Sequence, residues 1–255
     1  STSARKSSRS ASRAVMSAML PLRLRTSWVP HCLSGAVVKI QPQRTACRAD
    51  RWAKGWKAMA IAYQHALVVG GTGMLRKVVV WLSGNGYAVS VIARDRQKLE
   101  VLTDLAPGRL HAVPVNYADD AALTDELIQS IRRFGPLSLA VLWIRPGAPN
   151  ALNTIATIAD QEGGEGSDRR CRLFRILGSS AADPALKRSD KGGRYRAMEG
   201  LRYREITLGF RVHRDTARWN TNDEIAAGVI HAIRHDIEDH VIGVVRPWEM
   251  RPPSR

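Results

Sequence analysis

The feature that most constrains the fold is a glycine-rich break between two apolar segments, within residues 65–82. A short apolar run ends at Gly70, and an apolar helical pattern begins a few residues later, after Gly71 and Gly73. This order predicts a β-strand, a tight turn and the amino end of a helix. Such an end exposes unpaired N–H groups with a partial positive charge, and glycine lets a phosphate approach them closely. The segment is therefore typical of a dinucleotide-binding turn.

The segments after this turn alternate between strand-like and helix-like patterns. Their apolar runs are nearly continuous, as expected for strands that are buried on both faces. We therefore predict an α/β fold, with a doubly wound parallel sheet (a Rossmann fold) in a single domain. Predicted strands lie at 66–69, 87–93, 110–115, 137–144, 172–177, 202–212 and 241–245. Predicted helices lie at 75–82, 95–105, 151–159 and 225–234, with a further helix that Asp119 or Asp120 caps and that ends at Gly135-Pro136. Thr221 and Glu224 form a strong capping signal for the last helix.

The cofactor site is predicted at the glycine turn and at the ends of the neighbouring strands. The second strand ends at Arg94, and Asp95 follows it. An acid at this strand tip would bind a ribose hydroxyl and favour NAD, whereas an arginine accommodates a 2′-phosphate. Arg94 thus favours NADP over NAD, although both residues could also be solvated loop charges. The predicted cofactor-binding residues are Gly70, Gly71, Thr72, Gly73, Met74, Leu75, Arg94, Asn116 and Tyr117.

Two of these assignments have an alternative interpretation. Asn116 and Tyr117 follow the third strand, where they can line an adenine pocket or simply lead into the next helix. Arg76 stands where the usual motif has its third glycine, which normally allows close packing between helix and sheet. An arginine there must point outward or loosen that packing. It is either a phosphate ligand or a solvated helix residue.

Residues 1–58 differ from the rest of the chain. The formal net charge is +16, and residues 1–58 hold 12 of the 39 Lys and Arg residues but only one of the 23 acidic residues. We predict a basic, disordered extension at 1–58 and an NAD(P)-binding domain at 59–255. The Arg- and Ser-rich composition is typical of an organellar transit peptide. Alternatively, Met59 is the natural start and the preceding residues are an untranslated or fused segment. The expected location is cytoplasmic, or organellar if residues 1–58 are a transit peptide.

The sequence disfavours several other classes of function. Because the excess positive charge lies mostly in residues 1–58, nucleic-acid binding is not the favoured function. Apolar runs of about 18 residues, as a membrane-spanning helix needs, do not occur, so no membrane partner is predicted. Cys32, Cys47 and Cys171 are too widely spaced to predict a metal site or a disulfide framework. His231 and His235 lie one helical turn apart but lack a His-Glu-X-X-His motif, so no metal is predicted there.

Three parts of the sequence resemble the short-chain dehydrogenase/reductase superfamily: residues 70–76, Arg94 and Gly178-Ser179-Ser180. The resemblance covers about residues 64–245, and it is closest to small, atypical bacterial-type members. It implies a Rossmann core, a bound NAD(P) and a small-molecule substrate. It further implies hydride transfer to or from a carbonyl or an alcohol, and frequent assembly into homo-oligomers.

The resemblance also implies a catalytic Ser, a Tyr and a Lys four residues after the Tyr. Ser179 and Ser180 match the serine position after the fifth strand, but no tyrosine of the chain has a lysine four residues later. Tyr195, for example, is followed at that distance by Glu199. We predict Ser179 or Ser180 as the substrate-orienting serine. Tyr203, which begins the sixth predicted strand, is either the proton donor or a packed aromatic residue. Two functions follow: an NADP(H)-dependent oxidoreductase, or an inactive NADP(H)-binding protein that serves as a redox sensor or a structural subunit.

Overall fold

The computed structural model of the chain describes residues 64–106, 108–162, 170–186 and 192–253. The predictions for residues 1–58 and for Met59 lie outside these residues. The strands are β1 (Gln64–Val69), β2 (Tyr87–Ala93), β3 (Leu110–Pro114), β4 (Leu137–Leu142), β5 (Cys171–Leu177), β6 (Leu201–Leu208), β7 (Phe210–His213), β8 (Thr216–Trp219) and β9 (Asp239–Ile242). The helices are α1 (Arg76–Gly84), α2 (Arg96–Leu105), α3 (Asp120–Phe134), α4 (Ala151–Glu162), α5 (Gly193–Arg196) and α6 (Asn222–Arg234).

Seven of the strands form one sheet in the order β3-β2-β1-β4-β5-β6-β9. Every neighbouring pair in this sheet is parallel. The central strands are apolar almost throughout, because helices cover both faces; all seven residues of β2 are buried. The predicted doubly wound parallel sheet is therefore confirmed.

The helices cover the sheet in two layers, each with its own apolar core. One core joins α1, α2 and α6 to one face of the sheet, through side chains such as Val79, Leu99 and Val229. The other joins α3 and α4 to the opposite face, through side chains such as Leu127 and Ile155. Among the described helices, none combines the length and the apolar character that crossing a bilayer requires.

The helix starts follow the predicted capping signals. The Asp119 carboxylate accepts a hydrogen bond from the backbone N–H of Ala122 and so caps α3. Thr221 and Glu224 form the predicted capping box at the start of α6. These contacts satisfy backbone donors that have no partner within the helix. The starts of α3 and α6 are therefore fixed by side-chain caps.

The predicted sixth strand at 202–212 is two separate strands in the structure. β6 belongs to the main sheet, whereas β7 pairs antiparallel with β8 in a two-stranded sheet. Gly209 separates β6 from β7, and a Cβ built on it would lie 2.2 Å from the carbonyl oxygen of Val244. Glycine permits this close approach of two chain segments. β8 was missed because its sequence, Thr-Ala-Arg-Trp, has no apolar run.

Candidate functional site

Two cavities lie at the carboxyl ends of the parallel strands and share part of their lining. The order of the strands reverses between β1 and β4, and ligands of open α/β sheets bind at such a point. The first cavity, of about 400 Å³, spans the ends of β1 and β2. The second, of about 780 Å³, lies over the ends of β4 and β5. Trp143 and Arg145, which follow β4, line both of them. Trp143 lies within the predicted fourth strand at 137–144, but β4 ends at Leu142.

The glycines of the turn after β1 have three different environments. Gly70 has a φ of +82°, a backbone conformation that few other residues adopt. Gly71 is buried, and a Cβ there would lie 2.7 Å from Val91 and 2.8 Å from Val79. A Cβ on Gly73 would meet nothing within 4 Å. Gly71 therefore allows α1 to pack closely on the sheet, and Gly73 leaves open space at the cavity.

The first turn of α1, which is described in full, has no acidic residue of its own and no side-chain cap. The Asp223 carboxylate beside it pairs with Lys77 at 2.7 Å. Arg76, which replaces the third glycine of the usual motif, is exposed, so it does not loosen the packing of the helix. The arrangement leaves the partial positive charge of the helix end for an anion in the first cavity.

The tip of β2 places a positive charge at the same cavity. Arg94, Asp95 and Lys98 all line it. The Asp95 carboxylate accepts a hydrogen bond from the backbone N–H of Lys98, at 3.1 Å, and pairs with the Lys98 Nζ at 2.9 Å. These contacts with Lys98 lower the pKa of Asp95 and commit its carboxylate to capping α2. Arg94 is therefore the strand-tip side chain that stays available for a ligand.

The structure separates the predicted cofactor residues into two groups. Those that line the first cavity are Gly70, Thr72, Gly73, Met74, Arg94 and Tyr117. Gly71 and Leu75 are instead buried beneath the turn, where they pack in the core. Asn116 is exposed and accepts a hydrogen bond from the backbone N–H of Ala118, as in a turn that leads into a helix. Of the predicted adenine-pocket pair, Tyr117 alone lies at the cavity.

The two candidate serines have different environments after β5. Ser180 is exposed and lines the second cavity. Ser179 is buried, and its hydroxyl accepts a hydrogen bond from the Arg251 Nε at 2.9 Å. The Arg251 guanidinium lies 5.0 Å from the ring centre of Trp219 and 5.2 Å from that of Trp248. Residues far along the chain thus support the serine turn, a contact that no sequence pattern indicated.

The two tyrosines near the serine turn also differ in position. Tyr203 is 2% exposed, and its hydroxyl donates to a Glu205 carboxylate oxygen at 2.9 Å. Burial raises the pKa of Tyr203. It is not among the described residues that line either cavity, a position that argues against the predicted proton donor. Tyr195, whose ring stacks on that of Tyr203 at 5.3 Å, lines the second cavity together with Ser180.

Three arginines line the second cavity: Arg145, Arg175 and Arg194. A signal for one of them was present in β5, where Arg172 and Arg175 interrupt an apolar strand. Being three residues apart, they lie on opposite faces of the sheet. Arg172 donates to the backbone carbonyl of Ile233 at the end of α6, and Arg175 lies on the side of the cavity.

Comparison of the sequence with protein-family models finds no match, and comparison with curated proteins finds none either. Solved structures, in contrast, match well. A short-chain dehydrogenase/reductase from Serratia marcescens is 18% identical, with a TM-score of 0.55, over 70% of this chain and 95% of its own. A short-chain dehydrogenase from Bacillus anthracis is 14% identical, with a TM-score of 0.55, over 72% of this chain and 96% of its own. The chain has the short-chain dehydrogenase/reductase fold. The resemblance predicted from the sequence is thus confirmed at the level of the fold.

A third match is a betaketoacyl-ACP reductase from Bacteroides thetaiotaomicron. It is 15% identical, with a TM-score of 0.52, over 70% of this chain and 96% of its own. All three matches cover nearly the whole of the solved chains.

Proposed function

We propose that the chain is an NADP(H)-dependent oxidoreductase of the short-chain dehydrogenase/reductase type, acting on a carbonyl or alcohol of a small molecule. The observation that carries this proposal is that the two cavities adjoin, with Trp143 and Arg145 in the lining of both. A nucleotide in the first cavity would reach the residues of the second, where Ser180 and Tyr195 lie. The confirmed fold supports the same class of chemistry. We also propose that the chain assembles into homo-oligomers.

The residues of the first cavity fit a dinucleotide phosphate. Gly73 leaves room for the phosphate, and the uncapped start of α1 provides N–H groups and a partial positive charge. Arg94 and Lys98 would hold a 2′-phosphate at the tip of β2, since Asp95 is committed to its cap. When bound, the reduced nicotinamide supplies a hydride to the carbonyl carbon, and a proton reaches the oxygen to give the alcohol.

The substrate would lie in the second cavity. Ser180 is placed to donate a hydrogen bond to the reacting oxygen, and Ser179 would hold the turn through its contact with Arg251. Tyr195 replaces Tyr203 as the proposed proton donor, because the Tyr203 hydroxyl is committed to Glu205. A general acid must be within hydrogen-bonding reach of the atom it protonates. Tyr195 lines the cavity, where a substrate oxygen would come within that reach.

The test measures thermal unfolding of the full-length chain with NADPH and with NADH, because a ligand of the native state raises the melting temperature. We expect a larger shift with NADPH. Arg94→Ser should lower NADPH affinity about tenfold or more, as expected for loss of a charge-assisted hydrogen bond, and leave NADH affinity nearly unchanged. Arg96→Ser is the matched control, since Arg96 is exposed on the next helix and is not among the residues that line the cavity. Equal shifts with both nucleotides would reject the NADP preference, and no shift with either would reject the cofactor site.

A second candidate is a catalytically inactive NADP(H)-binding protein, serving as a redox sensor or a structural subunit. The absence of a tyrosine with a lysine four residues later favours it. NADPH oxidation with a panel of ketones and aldehydes separates the two candidates. Tight NADPH binding without oxidation by any of them would favour the inactive protein.

A further inference from the structure

The charged residues among the described lining of the second cavity are all arginines. Arg145, Arg175 and Arg194 come from the loop after β4, from β5 and from α5, and no acidic residue is among the described lining residues. A cleft lined by one sign of charge concentrates ions of the opposite sign. The planar guanidinium group also matches carboxylates and phosphates with paired hydrogen bonds. The lining therefore fits an anionic ligand.

Arg175 is a residue of β5 and lies beside Glu205 of β6 in the sheet register. The Glu205 carboxylate accepts a hydrogen bond from the Tyr203 hydroxyl at 2.9 Å. Glu205 is not among the described residues that line the cavity, whereas Arg175 is. The Arg175 guanidinium has five N–H donors in a fixed planar arrangement, which suits a carboxylate or a phosphate.

Arg194 is positioned from the other side of the cavity. Its guanidinium donates to the Asn153 side-chain oxygen on α4. It also lies 4.9 Å from the ring centre of Tyr195, a cation–π distance. Both contacts hold the side chain before a ligand arrives, which lowers the entropic cost of binding.

The remaining wall of the cavity is largely apolar, formed by residues such as Ile144, Leu152 and Leu177. Its volume of about 780 Å³ suits a ligand larger than a simple inorganic ion. We infer that the substrate is a carbonyl compound or alcohol with an apolar body and an oxyanion group, a carboxylate or a phosphate, held by Arg175 and Arg194. This inference rests on the proposed oxidoreductase function and names its substrate class. Arg145, which also lines the first cavity, is left out of the assignment.

The test compares pairs of probes that differ in charge. The carboxylate pair is benzoylformate and its methyl ester; the phosphate pair is dihydroxyacetone phosphate and dihydroxyacetone. Each probe is first tested for thermal stabilisation of the full-length chain without cofactor, and then for oxidation of NADPH. We expect at least one anion to stabilise the protein and to react about tenfold or more faster, in kcat/KM, than its neutral partner. The pair that responds identifies the oxyanion.

Variants assign the effect to the arginines. Arg194→Gln, at an exposed side chain, and Arg175→Lys, which keeps the charge, should each lower about tenfold the ratio of kcat/KM for the anion to kcat/KM for its neutral partner. Arg132→Gln, at an exposed arginine of α3, is the matched control and should change neither. The inference is overturned if no anion outperforms its neutral partner, or if the variants reduce both probes equally.

The outcomes separate this inference from the proposed function. Reduction of neutral ketones, unaffected by Arg194→Gln, would keep the oxidoreductase and reject the anionic substrate. Stabilisation by an anion that depends on Arg194, without NADPH oxidation by any probe, would keep the anion site and reject the oxidoreductase.

Discussion

The two adjoining cavities are formed by different kinds of structure. The first depends on one continuous strand-turn-helix segment, in which the backbone of Gly70 and Gly73 makes the site. The second depends on side chains from separate segments, including Ser180, Arg175 and Tyr195. A site formed by the backbone of one continuous segment can therefore be predicted from a sequence motif. A site made by long-range side-chain contacts becomes visible when the fold brings the segments together.

The largest expected effect distinguishes the two tyrosines of the second cavity region. Tyr195→Phe should lower kcat about hundredfold or more, since loss of a general acid has effects of this size. Tyr203→Phe should leave kcat within about threefold and instead lower the free energy of unfolding by about 1–3 kcal/mol, because Glu205 loses its hydrogen-bond donor. Steady-state kinetics measures kcat of both variants, and denaturant unfolding measures their free energy of unfolding. A large loss of kcat in Tyr203→Phe, with a small one in Tyr195→Phe, would indicate that Tyr203 is the proton donor.

The next largest effect lies in the turn of the first cavity. Gly71→Ala should lower the free energy of unfolding by about 1–3 kcal/mol, because the new Cβ overlaps with Val91 and Val79. Gly73→Ala should change the free energy of unfolding by about 0.5 kcal/mol or less, yet weaken NADPH binding by intruding on the phosphate space. Urea unfolding and NADPH titration separate the two effects. Similar losses of stability in both variants would contradict the division of roles between these glycines.

A smaller effect concerns the support of Ser179 by Arg251. Arg251→Met should lower the free energy of unfolding by about 1 kcal/mol, through loss of the hydrogen bond to Ser179 and of the contacts with Trp219 and Trp248. The change should also lower kcat more than it affects NADPH affinity, because the serine turn belongs to the second cavity. Arg246→Met, at an exposed residue, is the control. Equal loss of nucleotide affinity and kcat would show that this support serves both cavities.

The smallest expected effect lies at the amino ends of the strands, away from both cavities. His65 is 1% exposed; its Nδ1–H donates to the Gly135 carbonyl at 2.8 Å, and its Nε2 accepts from the Ser90 hydroxyl at 2.9 Å. Burial lowers the pKa of His65 from its ordinary 6.5, and burial lowers that of His111 in the same direction. The unfolded chain therefore binds protons more readily than the native one.

It follows that this contribution to stability is complete above pH 6.5 and is lost as the pH falls below 6.5 toward the lowered native pKa. Melting temperatures measured across this range should decrease with falling pH. The decrease should be shallower in His65→Gln, although this variant is less stable at neutral pH. An unchanged slope would assign the acid sensitivity to other groups, and any pH dependence of kcat should be independent of this substitution.

The sequence predicted the parallel sheet, the glycine turn and the helix caps, because each depends on a local pattern. Continuous apolar runs identify buried strands, and Thr221 with Glu224 identifies the start of α6. The orientation of Arg76 could not be predicted, because its position in the motif is compatible with an outward side chain or with loosened packing. The structure shows that the side chain is exposed.

Of the wall of the second cavity, the sequence predicted Ser180 but not the contacts between distant segments. Arg251 reaches Ser179 across 72 positions of the chain, and Arg194 reaches Asn153 across 41. Periodicity carries no information about such contacts. Tyr195 was set aside because Glu199, and not a lysine, follows it at four residues. The burial of Tyr203 and its hydrogen bond to Glu205 depend on tertiary packing.

The shared wall of Trp143 and Arg145 has a thermodynamic consequence. Ligands in the two cavities would both contact these side chains. Any factor by which the ligand of one cavity changes the affinity of the other cavity then acts equally in the reverse direction. Trp143 lines both cavities, so its fluorescence is expected to respond to a ligand in either one.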